Sequence, residues 1–186
     1  MTRRIYILDC AGASRDELRS RALAAGLRVM DVRLDEDHAE VDADGDGIPD
    51  WGCAAVDVVE VSSLEGAGDP VRRGLELMAS GRFWEAHEVL ESPWHDTPGS
   101  AGESLGFLVK CCAAAVHVQR GRMESALGIV GRSTTADVDR SYLGGLVAGL
   151  RNECRGADRR LTRILREFAR RALEEMDAAG RYSVEN

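Results

Sequence analysis

The spacing of apolar positions changes about a third of the way along the chain. Residues 4–8 (Arg-Ile-Tyr-Ile-Leu) read as a strand, and residues 27–34 (Leu-Arg-Val-Met-Asp-Val-Arg-Leu) alternate as a half-buried strand does. Between them Ser14 is placed to cap a helix, with Glu17 at the capping-box position, and that helix is predicted to run to about Gly26. A loop rich in Asp and Gly is expected after residue 34. Residues 54–61 are strongly β-branched and predict another strand. Residues 1–65 thus read as a small α+β unit of three or four strands and one helix.

Ser62 to Gly68 reads as a linker. Asp69-Pro70 then supplies an N-cap and a proline at the first helical position. Helices are predicted near 70–80, 82–92, 101–120, 122–131, 136–152 and 157–178, punctuated by Gly81, Gly121 and Gly156. No strand signal follows residue 70, and no internal repeat is visible. In the last helix Leu161, Ile164, Leu165, Phe168, Ala172 and Met176 share one face, and Arg159, Arg163, Arg166 and Arg170 the opposite one. The fold class is α+β: a small N-terminal α/β unit (1–65), then a mainly α-helical bundle domain (69–180).

At 186 residues and 44% hydrophobic, the chain has enough apolar surface for a packed core, which excludes global disorder. No run approaches the roughly 20 apolar residues a bilayer requires, so no membrane span is expected. Met-Thr-Arg-Arg precedes only four apolar residues before Asp9, too few for a signal peptide, and a cytoplasmic location is expected. The net charge of -8 disfavours global steering toward nucleic acid. Charge is unevenly spread: residues 31–69 carry 13 acidic side chains against Arg33 alone, and residues 151–171 carry eight Arg against three acids. Lys110 is the single lysine. The five cysteines, Cys10, Cys53, Cys111, Cys112 and Cys154, are odd in number and scattered. They predict neither a disulfide framework nor a zinc site, and Cys111 and Cys112 read as buried hydrophobes.

Two stretches carry candidate chemistry. Asp42-Ala-Asp44-Gly-Asp46-Gly-Ile-Pro-Asp50 resembles a calcium loop, in which alternating carboxylates wrap a hard cation. Cys53 stands where an EF-hand needs a bidentate Glu, and a polar hairpin tip explains the same residues. The second stretch is Gly81-Arg-Phe-Trp-Glu-Ala-His-Glu-Val-Leu-Glu-Ser-Pro-Trp94. Helical spacing puts Trp84, His87 and Glu91 on one side with Glu88 adjacent, and Phe83, Ala86 and Leu90 on the neighbouring apolar side. The following helix bears Gly106, Lys110, Ala113, Ala114 and His117 along one stripe. An antiparallel pairing of the two helices would let His87, Glu88, Glu91, Lys110 and His117 converge.

The order FWEAHEVLE-x-x-W, followed by an apolar helix ending His-Val-Gln-Arg-Gly, resembles the DUF309 domain over roughly residues 70–150. That is a family of helical proteins with no established function. The resemblance implies an all-α domain here, with hallmark positions Glu85, Ala86, His87, Glu88, Glu91, Trp94, His117 and Gly121. The chain departs from the family pattern at Lys110, where a polar, often amide, residue is usual, and at Arg122, which replaces Asn. Pro93 is predicted to end or kink the helix before Trp94.

Three readings follow. A His/Glu pocket between helices could be an enzyme site, with His87, Glu88, Glu91, His117 and Lys110 as acid, base or anion-binding groups and Trp84, Glu85 and Trp94 as its walls. His87, Glu91 and His117 form a donor set suited to Zn²⁺, Fe²⁺ or Mn²⁺. The same polar groups could instead be a structural lock between helices in a non-catalytic interaction module. The Arg-rich helix would then meet an acidic partner, including residues 31–69 of a second copy in a homo-oligomer. Nucleic acid is not expected, because no base-stacking aromatics are interleaved with those Arg.

Overall fold

The computed structural model describes residues 2–10, 12–64, 68–133, 142–154 and 160–184. The chain forms two compact units, Met1–Gly66 and Ala67–Asn186. The first contains β1 (Arg3–Asp9), α1 (Arg15–Ala24), β2 (Arg28–Leu34), β3 (Ala39–Asp44) and β4 (Ala54–Glu60), then a 3-10 turn at Val61–Ser63. The strands form one antiparallel sheet in the order β2-β3-β1-β4. Ser14 caps α1, its hydroxyl accepting from the Glu17 amide at 3.2 Å. Leu18 and Ala22 of α1 join Tyr6, Leu8, Val32, Val41 and Trp51 in one buried cluster on a single face of the sheet.

The stretch expected to be an Asp/Gly loop contains β3. Ala39-Glu40-Val41-Asp42-Ala43 alternates strictly, so the apolar residues enter the cluster and the acids face the other way. There Glu40 stands opposite Arg33, and Asp42 opposite Asp31. Arg33 Nε donates to Glu40 Oε2 at 2.5 Å and Nη1 to Asp31 at 2.9 Å, while Arg3 donates to both oxygens of Asp42 at 2.9 and 2.6 Å. His38 adds Nδ1 at 2.8 Å from Asp37 and Nε2 at 3.5 Å from Glu40. Arg33, Glu40 and Asp42 are buried, with no more than 1% of their surface exposed. Buried charges persist only when paired in this way.

A second expectation fails at the cysteines: Cys10 and Cys53 form a disulfide. The β1–β4 ladder ends with Asp9 opposite Ala54, which places Cys10 and Cys53 at the next step of the register. Sequence spacing alone gave no sign that these two strands are neighbours.

The second unit is helical: α2 (Pro70–Ala79), α3 (Phe83–Asp96), α4 (Gly99–Gln119), α5 (Met123–Ser133), α6 (Tyr142–Cys154) and α7 (Leu161–Val184). The predicted helix starts at 136 and 157, with Gly156 and Arg159, lie outside the described residues. Asp69 caps α2, accepting from the Val71 amide at 2.9 Å. Gly81 and Gly121 close α2 and α4 with φ of 78° and 71°, the left-handed conformation that favours glycine at a helix end. Contrary to expectation, α3 runs through Pro93 to Asp96. Pro93 removes the amide that would bond the Val89 carbonyl, and only one turn of helix lies beyond it.

α4 lies at the centre, packed by α3, α5, α6 and α7. It is, against the sequence reading, long and apolar enough to cross a membrane by length and composition. However, 67% of that stretch is buried within the protein, the position of a core helix. Phe83, Leu90, Phe107, Leu108, Leu165 and Phe168 fill the surrounding cluster. α2 and α3 approach closely at Gly74, where an added Cβ would stand 2.5 Å from Leu90 Cγ. Gly74→Ala is expected to lower stability. Overpacking against buried Leu90 costs about 1–3 kcal/mol, against the roughly 1 kcal/mol alanine gains in a helix. A thermal melt that rises in the variant would refute that close packing.

Candidate functional site

α3 and α4 are antiparallel. Trp94 Nε1 would lie 2.5 Å from a Cβ at Gly106, and Gln119 Nε2 donates to the Gly81 carbonyl at 2.9 Å at the other end. This register puts Lys110 level with Leu90 and His117 level with Phe83. His117 therefore sits four residues, about 6 Å along the axis, from the level of His87. The faces of α3 follow from 3.6-residue spacing: Phe83, Ala86 and Leu90 are fully buried, and His87, Glu88 and Glu91 form the rim.

On that rim the donor atoms of His87, Glu88 and Glu91 all lie within 4.8 Å of one another. His87 Nδ1 is 3.4 Å from Glu88 Oε1, and Glu91 Oε1 is 3.8 Å from His95 Nε2. The side chains are 26%, 38% and 43% exposed for His87, Glu88 and Glu91, so solvent reaches the group. Beyond it Trp94 stacks on His95, ring centroids 4.7 Å apart, and Lys110 Nζ stands 5.9 Å from the Trp94 ring centroid. Trp84 is half-buried and packs against the core of this unit.

The convergence drawn from sequence is thus partly rearranged. His87, Glu88 and Glu91 come together, whereas His117 lies outside the group and Lys110 is engaged with Trp94. Glu85, read as a pocket wall, is fully buried on the other side of α3. It pairs with Arg82 through two bonds of 2.7 and 2.6 Å. The three oxygen and nitrogen donors suit a divalent transition metal.

The four aspartates of the calcium-like stretch do not form such a group among the described residues. Asp42 and Asp44 belong to β3, where Asp42 binds Arg3 and Asp44 takes Arg28 at 3.0 Å. Asp46 is exposed, and Asp50 accepts from the Gly52 amide at 3.0 Å. A strand sends alternate carboxylates along one face, whereas a cation needs a chain that curls around it. On α7, Arg163 and Arg170 are exposed and Arg166 is half-buried; Arg170 reaches the Ala79 carbonyl at 3.4 Å.

Sequence reasoning missed the charge cluster of Arg33, His38, Glu40 and Asp42. The alternation at 39–43 was the available signal, masked by its acidity.

No curated protein and no solved structure matches the chain. Residues 71–129, the stretch from α2 into α5 that holds the His87–Glu91 rim, match the family model DUF309, a domain of unknown function.

Proposed function

We propose that the helical unit binds a divalent transition-metal ion through His87, Glu88 and Glu91. The observation that carries this reading is the gathering of three donor atoms within 4.8 Å on a partly exposed helix face. One imidazole and two carboxylates suit Zn²⁺, Fe²⁺ or Mn²⁺, and the open side leaves positions for water or a small molecule. A metal so held supplies Lewis acidity toward a bound oxygen. Lys110, held over Trp94, puts a cation on the same side of the helix pair, suited to an anionic ligand.

The structural-lock reading is weaker here, because a lock needs buried and mutually satisfied groups. Arg82–Glu85 and Gln119–Gly81 are buried polar contacts of this hairpin, and neither involves His87, Glu88 or Glu91.

Elemental analysis and metal titration of the full chain, purified without chelator or affinity tag, test the proposal. One equivalent of metal per chain is expected. His87→Ala abolishes binding and Glu91→Gln weakens it more than tenfold. Neither shifts metal-free stability by more than about 0.5 kcal/mol, the usual range for exposed positions. Metal retained by His87→Ala, or none bound by wild type at tens of micromolar, would sink it.

A further inference from the structure

The cysteines divide by chemistry. Cys111, Cys112 and Cys154 are buried thiols of the helical unit, and burial pushes the first two well above the ordinary thiol range. Such groups are inert toward solution reagents. Cys10 and Cys53 are half-buried and bonded to each other. Solvent-accessible sulfur chemistry among the described residues is therefore concentrated at one point of the sheet unit.

That point lies at the start of a weakly anchored strand. β4 occupies the end of the sheet and is hydrogen-bonded within it to β1 alone. None of Ala54–Glu60 belongs to the buried apolar cluster, and Val56 and Val58 are 67% and 46% exposed. The β1–β4 register also shifts between Ile7 and Leu8, close to the disulfide. The residues just before β4 are held independently. Trp51 packs on Tyr6 with ring centroids 5.2 Å apart, and Arg21 donates to the Asp50 carbonyl at 3.2 Å.

We propose that Cys10–Cys53 is a reversible thiol–disulfide exchange site, reduced by small or protein dithiols, and that its reduction releases β4 from the sheet. A reagent thiolate attacks one of the two sulfurs. The S–S bond breaks, the displaced cysteine leaves as a thiolate and takes up a proton, and the reagent is held as a mixed disulfide. The second reagent thiol, deprotonated, then attacks the reagent sulfur of that bond, closing the reagent's own disulfide and freeing the other cysteine. The chain gains two electrons and two protons, and the dithiol loses them. A disulfide reagent runs the same steps in reverse. In a cytoplasmic setting disulfides are transient, so the pair would cycle there.

The test uses the full chain, dithiothreitol as reductant, a maleimide to count thiols, and amide exchange read by residue. Without reductant the native chain should take up no maleimide, and three equivalents in denaturant. After mild reduction it should take up two in the native state and five in denaturant. Exchange over residues 54–60 should rise at least tenfold more than exchange in the β2–β3 ladder, which quickens only by the lost global stability and stays protected. Cys10→Ser/Cys53→Ser should reproduce the reduced pattern; wild-type reduction decides the matter if that variant does not fold. Two reactive thiols before any reductant is added would overturn the proposal. So would unchanged exchange in β4 after reduction, or loss of β2–β3 protection together with β4.

Discussion

Arg33→Met lowers the stability of the sheet unit by about 3–5 kcal/mol, the cost of removing one partner from a buried ion cluster. Arg33 is fully buried and answers three carboxylates: Glu40 at 2.5 Å, Asp31 at 2.9 Å and Asp42 at 3.9 Å. Methionine fills much of the volume but leaves buried Glu40 without that counter-charge, beside Asp42, which keeps Arg3.

The pH dependence separates this cause from lost packing. Burial raises the Glu40 carboxyl, but Arg33 and His38 outweigh it, so in wild type it lies below its ordinary value of 4.5. Its contribution is full above that value and is lost as pH falls through the folded one. For His38 burial opposes protonation, yet Glu40 and Asp37 outweigh it and raise the imidazole above 6.5. That contribution is full below 6.5 and fades as pH rises through the folded value. Both are fully present between 4.5 and 6.5.

In the variant, burial acts on Glu40 without Arg33, and a protonated Glu40 needs no counter-charge. The penalty should therefore shrink on acidification. Denaturant unfolding across pH, read by amide exchange of the β2–β3 ladder, checks both the size and the slope. A penalty below about 1 kcal/mol would mean that water already reaches the cluster.

The second large effect is expected from Cys10→Ser/Cys53→Ser, a loss of about 4 kcal/mol from the sheet unit. The bond spans 43 residues, and a cross-link of that span restricts the unfolded chain by this amount on the chain-entropy argument. Wild type in dithiothreitol should lose the same amount, since reduction removes the same constraint. Matching denaturant midpoints for the two would support the estimate. A change under about 1 kcal/mol in both would show that the bond adds little to the unfolding balance.

Local signals in the sequence were legible where one element decides its own shape. The Ser14 cap, the Asp69-Pro70 start and the apolar stripe of α7 all stand as read, with Leu161, Leu165, Phe168 and Ala172 buried. The i,i+4 spacing of His87 and Glu91 does put them on one helix side. What escaped depends on partners. β3 reads as a loop until Arg33 and Arg3 are known to receive its acids. The disulfide needs β1 beside β4, and the level of His117 needs the α3–α4 register. The rule that proline breaks a helix applies to helix interiors, whereas α3 ends three residues after Pro93.

One consequence of the sheet order concerns the chain's behaviour in concentrated solution. β4 presents a rim of backbone donors and acceptors that no strand of this sheet takes up, flanked by exposed valines. Such a rim is a template for another copy's backbone, and proteins guard it with charge. Asp57 stands between Val56 and Val58, so like charges would meet wherever two rims aligned near their centres. Protection against edge-to-edge stacking at the middle of β4 thus rests on the placement of Asp57.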